Sequence, residues 1–256
     1  MSWRFVSASV TGTSHLRLSL PCQDNCFVTD IEGADGHQWL IAIASDGAGS
    51  ASRAEVGAEL ASEVGGRFLF SAVAEKGAEL VEAMALDVLS AIRDAIAAEA
   101  LRVGCGVRDF ACTLVGAVVG PQRALFFQVG DGAVVVRREN SLECVFWPES
   151  GEYANMTYFV TDEAAAKHLH IRVDDAPAEV ALMTDGLQRL ALVFADQTVH
   201  TPFFTPMFGA LHGAKPEDCD RLSDALAEFL ASENVNARTD DDKTLILAVK
   251  AREDVL

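Results

Sequence analysis

The chain has 256 residues, and 20 Lys and Arg stand against 38 Asp and Glu, a formal net charge of −18 at pH 7. So acidic a surface repels nucleic-acid backbones and anionic membranes, which excludes both as partners. Hydrophobic residues make up 50% and charged residues 23%, a balance that excludes disorder and fits one large domain or two small ones.

Runs rich in β-branched and aromatic residues, bounded by turn residues, predict strands. In chain order they fall at 5–10, 25–30 and 39–45 and, after two helical stretches at 52–70 and 77–103, at 112–119, 124–129, 133–138, 143–147 and 180–184. In the second helical stretch Leu80, Met84, Val88, Ala91 and Ala95 recur at three- and four-residue steps, which lays an apolar stripe along one face. The stretch 201–208, Thr-Pro-Phe-Phe-Thr-Pro-Met-Phe, reads as a loop whose rings plug the core, with a docking patch as the alternative. A third helix is predicted over 216–232, with Pro216 in its first turn and Leu222, Leu226, Phe229 and Leu230 on one face, before a last strand at 244–250. Strict β–α alternation is absent, so the expected class is a layered α+β fold rather than a doubly wound parallel sheet. The polar stretch 148–177 reads as an insertion within a single domain spanning 1–256.

No apolar run approaches the roughly 18 residues of a membrane span, and the start MSWRFVSASV has no basic region followed by an apolar one. A cytoplasmic protein is expected. The six cysteines are sparse, and only Cys22 and Cys26 are close in sequence, so reduced thiols are expected rather than a disulfide framework or structural zinc.

The informative feature is where certain aspartates fall. Asp46 follows the apolar run 39–44, Asp131 follows 124–129 and Asp185 follows 180–183, each succeeded at once by glycine. Asp24 and Asp241 stand just before the strands at 25–30 and 244–250. Five carboxylates at strand ends can converge at one edge of a sheet assembly. Asp-Gly is also a strong hairpin signal. Asp35-Gly36 reads as such a turn, Asp131-Gly132 is open to either reading, and helical sequence after Gly47 and Gly186 argues against hairpins at Asp46 and Asp185. Converged carboxylates repel one another unless a cation intervenes, and oxygen ligands without paired His or Cys suit Mg²⁺ or Mn²⁺.

In order along the chain stand Cys22-Gln23-Asp24-Asn25, Ser45-Asp46-Gly47-Ala48-Gly49-Ser50, Phe110-Ala111-Cys112-Thr113-Leu114, Val129-Gly130-Asp131-Gly132, Met183-Thr184-Asp185-Gly186-Leu187 and Asp241-Asp242-Lys243-Thr244. This ordered set resembles the motifs of the metal-dependent protein phosphatases of the PP2C (PPM) family, in its compact bacterial branch. The resemblance implies a four-layer α-β-β-α sandwich of two antiparallel sheets flanked by helices. It implies hydrolysis of phosphoserine and phosphothreonine in proteins by metal-activated water, with two Mg²⁺ or Mn²⁺ ions. Asp46 would bridge both ions, the Gly47 carbonyl would bind one of them, and Asp185 and Asp241 would complete the second ion's shell. Asp24 would act beside the pair through ordered water, and Asp131 matches an aspartate used for a weaker third ion. The implied partners are phosphoproteins and a cognate Ser/Thr kinase, and the implied unit is a monomer.

The sequence departs from the family pattern in places. The phosphate-binding arginine would stand five residues before Asp24, at Ser19, which leaves Arg17 and His15 as the nearest replacements. The acidic neighbour of the first-motif aspartate is Gln23, and the histidine that follows the Asp-Gly pair in many eukaryotic members is Ala48. The substrate-side flap, near 148–177, must be short or altered. A second class therefore stays open, a catalytically weak pseudophosphatase or regulatory docking module of the same fold. The five retained aspartates argue against it. No Cys-x₅-Arg loop, GxSxG or GxxxxGK[ST] occurs, in keeping with chemistry that needs no protein nucleophile.

Overall fold

The structure, a computed structural model, describes residues 2–76, 80–148 and 157–251. The chain opens with β1 (Trp3–Val10), a short helix α1 (Thr13–Leu18) and the hairpin of β2 (Asp24–Glu32) and β3 (Gln38–Asp46). Two long helices follow, α2 (Ala54–Lys76) and α3 (Glu82–Val103), then β4 (Leu114–Val119), β5 (Arg123–Val129), β6 (Ala133–Arg138) and β7 (Ser141–Cys144). Next come β8 (His170–Asp175), β9 (Glu179–Met183), α4 (Gln188–Ala191) and a small ribbon of β10 (Leu192–Val193) and β11 (Thr198–Val199). Helices α5 (Thr201–Gly213), α6 (Cys219–Leu230) and α7 (Glu233–Asn236) lead into β12 (Lys243–Lys250).

These strands build two five-stranded antiparallel sheets, ordered β1-β12-β9-β6-β7 and β2-β3-β4-β5-β8. Side chains alternate across a strand, and here both faces are covered. Along β3, Trp39, Ile41 and Ile43 pack on Ala58 and Leu69 of α2 and Val88 and Ile92 of α3. The intervening Leu40, Ala42 and Ala44 share an inner core with Leu182, Ile246 and Ala248 of the other sheet. Along β12, Leu245, Leu247 and Val249 face outward onto Phe204, Phe208 and Leu211 of α5 and Leu226 and Leu230 of α6. The layers are therefore helix, sheet, sheet, helix, as the resemblance implied.

Three local expectations change. Residues 201–208 are helical, forming the start of α5. Pro202 stands in the first turn, where a missing N–H costs nothing, and Phe204, Phe208 and Leu211 fall on one buried face. Burying each such side chain is worth about 1.5–3 kcal/mol, which together outweighs the roughly 3 kcal/mol cost of Pro206 inside the helix. The rings of Phe204 and Phe208 do plug the core. Within the stretch 148–177, residues 170–175 are not irregular: they form β8, which extends the second sheet beside β5. Its charged residues alternate with Ile171 and Val173 on an exposed edge, a weak signal in sequence. The remainder of that stretch at 149–156 lies outside the described residues, as do 77–79 of the second predicted helix, which starts at Glu82. Finally, the strand predicted at 143–147 ends at Cys144.

Candidate metal centre

Strand register brings the aspartates together. Asp24, the first residue of β2, lies opposite Asp46, the last of β3. In the other sheet Met183 of β9 is opposite both Ala133 of β6 and Leu245 of β12. Asp131, two residues before Ala133, Asp185, two after Met183, and Asp241, four before Leu245, must emerge at the same sheet end. Asp35-Gly36 is the hairpin turn between β2 and β3, with Gly36 at φ +72° and Asp35 Oδ1 accepting from the His37 N–H at 3.0 Å. Asp131-Gly132 is not a hairpin turn: it carries the chain from β5 in one sheet to β6 in the other.

Backbone contacts fix these positions. Asp46 N–H donates to Thr113 Oγ1 at 3.0 Å, and Thr113 N–H donates to the Asp46 carbonyl at 2.8 Å. The chain then turns so tightly that a Cβ on Gly47 would lie 2.6 Å from the Ala54 carbonyl oxygen, which requires glycine. Thr184 Oγ1 donates to Asp24 Oδ2 at 2.7 Å, holding the buried Asp24 behind the site.

One carboxylate oxygen from each of Asp46, Asp131 and Asp185 lies within 4.8 Å of the others. Asp241 and Gly47 line the same cavity, of about 250 Å³, and His15, Ser50, Thr157 and Phe159 form more of its wall. Arg17 is exposed on α1 and is not among the lining residues. Asp24 is likewise not in the cavity wall. The tightest group is thus Asp46, Asp131 and Asp185, with Asp241 beside it.

The electrostatics are those of acids short of a cation. Burial and then the carboxylates of Asp24, Asp185, Asp241 and Asp131 push the Asp46 carboxyl well above its ordinary range. Asp185 is pushed up to about 7 by burial and then by Asp131, Asp241 and Asp24. Burial raises Asp24 to about 7 against the opposing hydrogen bond from Thr184, and burial raises Asp241. Buried Asp185 Oδ1 has no hydrogen-bond partner among the described residues. No Lys, Arg or Cys lines the cavity among the described residues. An all-oxygen, multiply anionic donor set with an unpartnered buried oxygen fits a hard divalent cation.

Several residues here carried no role in the sequence reading. Asp242 is buried, and Gly12 N–H donates to its Oδ1 at 2.6 Å while Gln23 N–H donates to its Oδ2. His15 Nδ1 meets that second oxygen at 2.9 Å. Its signal was present, as the second aspartate of Asp241-Asp242-Lys243-Thr244. Thr157 Oγ1 donates to Asp131 Oδ2 at 2.7 Å, and Gln188 Nε2 donates to the Asp131 carbonyl; nothing local in sequence announces either.

A sequence model described as Protein phosphatase 2C matches residues 11–231. The serine/threonine-protein phosphatase 3 of Escherichia coli (strain K12) is 44% identical over 252 residues, covering 98% of this chain and 100% of that protein. Among solved structures, the catalytic domain of the serine threonine protein phosphatase PstP, in complex with two manganese ions, superposes with a TM-score of 0.60 at 16% identity, over 98% of this chain and 99% of that one. Serine/threonine phosphatase Stp1 from Staphylococcus aureus gives a TM-score of 0.60 at 16% identity over 97% and 95%. These structures share the fold; the sequence match over nearly the whole length carries the assignment. With its aspartates gathered at one end of a two-sheet sandwich, the chain belongs to the protein phosphatase 2C family.

Proposed function

We propose that this protein is a metal-dependent phosphatase that removes phosphate from phosphoserine and phosphothreonine in proteins. The observation that carries the reading is the approach of one carboxylate oxygen from each of Asp46, Asp131 and Asp185 to within 4.8 Å of the others in the wall of an acidic cavity, supported by the 44% identical phosphatase. Asp46, Asp185, Asp241 and the Gly47 carbonyl would hold two Mg²⁺ or Mn²⁺ ions, and Asp131 a weaker third. When bound, such ions supply Lewis-acid charge that activates water and neutralises phosphoryl oxygens.

The chain's own groups supply the rest. Asp24, anchored by Thr184, keeps a buried carboxyl beside Asp46 and orders water there. His15 on the cavity wall and Arg17, exposed on the same helix, bring positive charge to an incoming phosphate. Phe159 and Thr157 form a further part of the cavity wall. The implied partners are phosphoproteins and the kinase that phosphorylates them, and the implied working unit is a single chain in the cytoplasm. No helix among the described residues is long and apolar enough to cross a membrane.

The test is hydrolysis of p-nitrophenyl phosphate and a phosphothreonine peptide. Turnover of both is expected to require Mn²⁺ or Mg²⁺ and to vanish with a chelator. A folded, Mn²⁺-saturated protein that turns over neither would restore the docking-module reading.

A further inference from the structure

We infer that His15, held by the buried carboxylate of Asp242, donates the proton that the departing seryl or threonyl oxygen takes up. The inference rests on the phosphatase reading, gives His15 a second role there and assigns one to Asp242, which that reading leaves unused. A serine or threonine alkoxide is a strongly basic leaving group, so its departure is slow unless a positioned acid protonates it. Among the described residues the other titratable groups on the cavity wall are Asp46, Asp131, Asp185 and Asp241, which the proposed function assigns to cations. Ala48, Gly49 and Ser50 offer no acid of suitable strength, which leaves His15.

The geometry around His15 is that of an oriented imidazole. Asp242 Oδ2 lies 2.9 Å from His15 Nδ1, with side-chain exposures of 2% for Asp242 and 14% for His15. Both oxygens of Asp242 also receive backbone N–H groups, from Gly12 and Gln23, so the carboxylate cannot swing away. Helix α1 is fixed to the same segment: Ser14 N–H and hydroxyl both donate to the Asp240 carbonyl, at 2.9 and 2.6 Å. Gly12 permits this approach, since a Cβ there would overlap the Asp241 carbonyl. A carboxylate on Nδ1–H fixes the orientation of the ring and leaves Nε2 as the nitrogen free to hold the proton that is transferred. Nε2 makes no hydrogen bond among the described residues, and the ring lines the cavity.

In the step itself the bond from phosphorus to the seryl or threonyl oxygen breaks as the bond from phosphorus to the water oxygen forms. The Nε2 proton passes to the departing oxygen and makes a neutral hydroxyl. His15 is left as neutral imidazole with Nδ1–H still on Asp242. The proton shed by the attacking water enters solvent, and His15 regains one from it.

The experiment compares two substrates at saturating Mn²⁺. A phosphoserine peptide releases a basic alkoxide, and p-nitrophenyl phosphate releases a weakly basic phenolate that needs little protonation. His15→Gln is expected to lower kcat on the peptide about 100-fold, within the range for loss of a general acid, and on p-nitrophenyl phosphate by less than tenfold. Asp242→Asn should show the same bias towards the peptide. In the metal-free wild-type protein, the His15 Nδ1–H proton should appear far downfield in the NMR spectrum and disappear in Asp242→Asn. If Asp242→Asn fails to fold, since Asn cannot accept all three contacts, His15→Gln and the wild-type spectrum decide alone. Equal losses on both substrates, or a raised KM with unchanged kcat, would reduce His15 to a phosphate contact and overturn the inference. A wild-type protein inactive on both substrates overturns the phosphatase reading as well, so the two failures are distinguishable.

Discussion

The two ends of the sandwich treat acidic residues in opposite ways. At the end opposite the cavity, Glu179 opens β9 and is nearly buried, with Arg137 Nε at 2.6 Å and His212 Nε2 at 2.8 Å. Close by, Asp174 Oδ2 pairs with Arg138 at 2.9 Å and Arg172 at 2.7 Å. At the cavity end Asp46, Asp131, Asp185 and Asp241 face one another, and among the described residues the single basic side chain on the wall is His15, which already has Asp242. The same strands, β6 and β9, carry both arrangements, so the difference lies in which residues were placed at each strand end. One end balances its charge within the chain; the other is built to have it balanced from outside.

The sharpest way to break this comparison is to remove the acid at the centre of the cavity. Asp46→Ala is expected to reduce Mn²⁺-dependent turnover of p-nitrophenyl phosphate to background while circular dichroism shows the fold intact. Near wild-type turnover in that variant would remove Asp46 from the site. Asp131→Asn should come next, lowering kcat about 10–100-fold, as for a group that orients a weakly held ion, with little change in Tm. Asn keeps an oxygen to accept from Thr157. Wild-type kcat across a Mn²⁺ titration would leave Asp131 a purely structural role.

The far end should respond in the opposite sense. Glu179→Gln leaves Arg137 without its charge partner and should cost about 1–3 kcal/mol, since Arg137 is partly exposed and screened. Thermal unfolding should show that loss with Mn²⁺ affinity unchanged; reduced Mn²⁺ affinity would mean the two ends are not independent. The smallest effect is on pH dependence. Asp24 and Asp185 stand at about 7 in the metal-free fold against an ordinary 3.8. Between those values the folded chain binds more protons than the unfolded one, so stability falls as pH rises through the window and levels off above it. Cations replace those protons, so Mn²⁺ should raise Tm more near pH 8 than near pH 5. A metal-free Tm that climbs from pH 5 to pH 8 would contradict the crowding of unpaired carboxylates.

How much of this was legible in the sequence follows from the range of each interaction. Asp24, Asp46, Asp131, Asp185 and Asp241 could be placed at strand ends because apolar runs beside them mark the strands. Their convergence was open in the sequence, because it needs the register within each sheet and the packing of the two sheets on each other. Thr157 and Gln188 touch Asp131 from 26 and 57 residues away, and no local pattern encodes such a contact. The hairpin reading of Asp131-Gly132 failed for a related reason: a strand signal on each side does not say that both strands share a sheet. Helix α5 was missed because its two prolines are local breakers, whereas the burial of Phe204 and Phe208 against β12 is a tertiary effect. The ion pairs of Glu179 were equally hidden, since Arg137 and His212 lie 42 and 33 residues from it.

The central claim, that the cavity end is completed by divalent cations, is tested most directly by calorimetric titration of the metal-free protein with Mn²⁺, run alongside Asp46→Ala. The account predicts at least two ions bound per wild-type chain and the loss of that binding in the variant. A wild-type chain that binds no Mn²⁺, or an Asp46→Ala chain that binds it with the same stoichiometry and affinity, would contradict it.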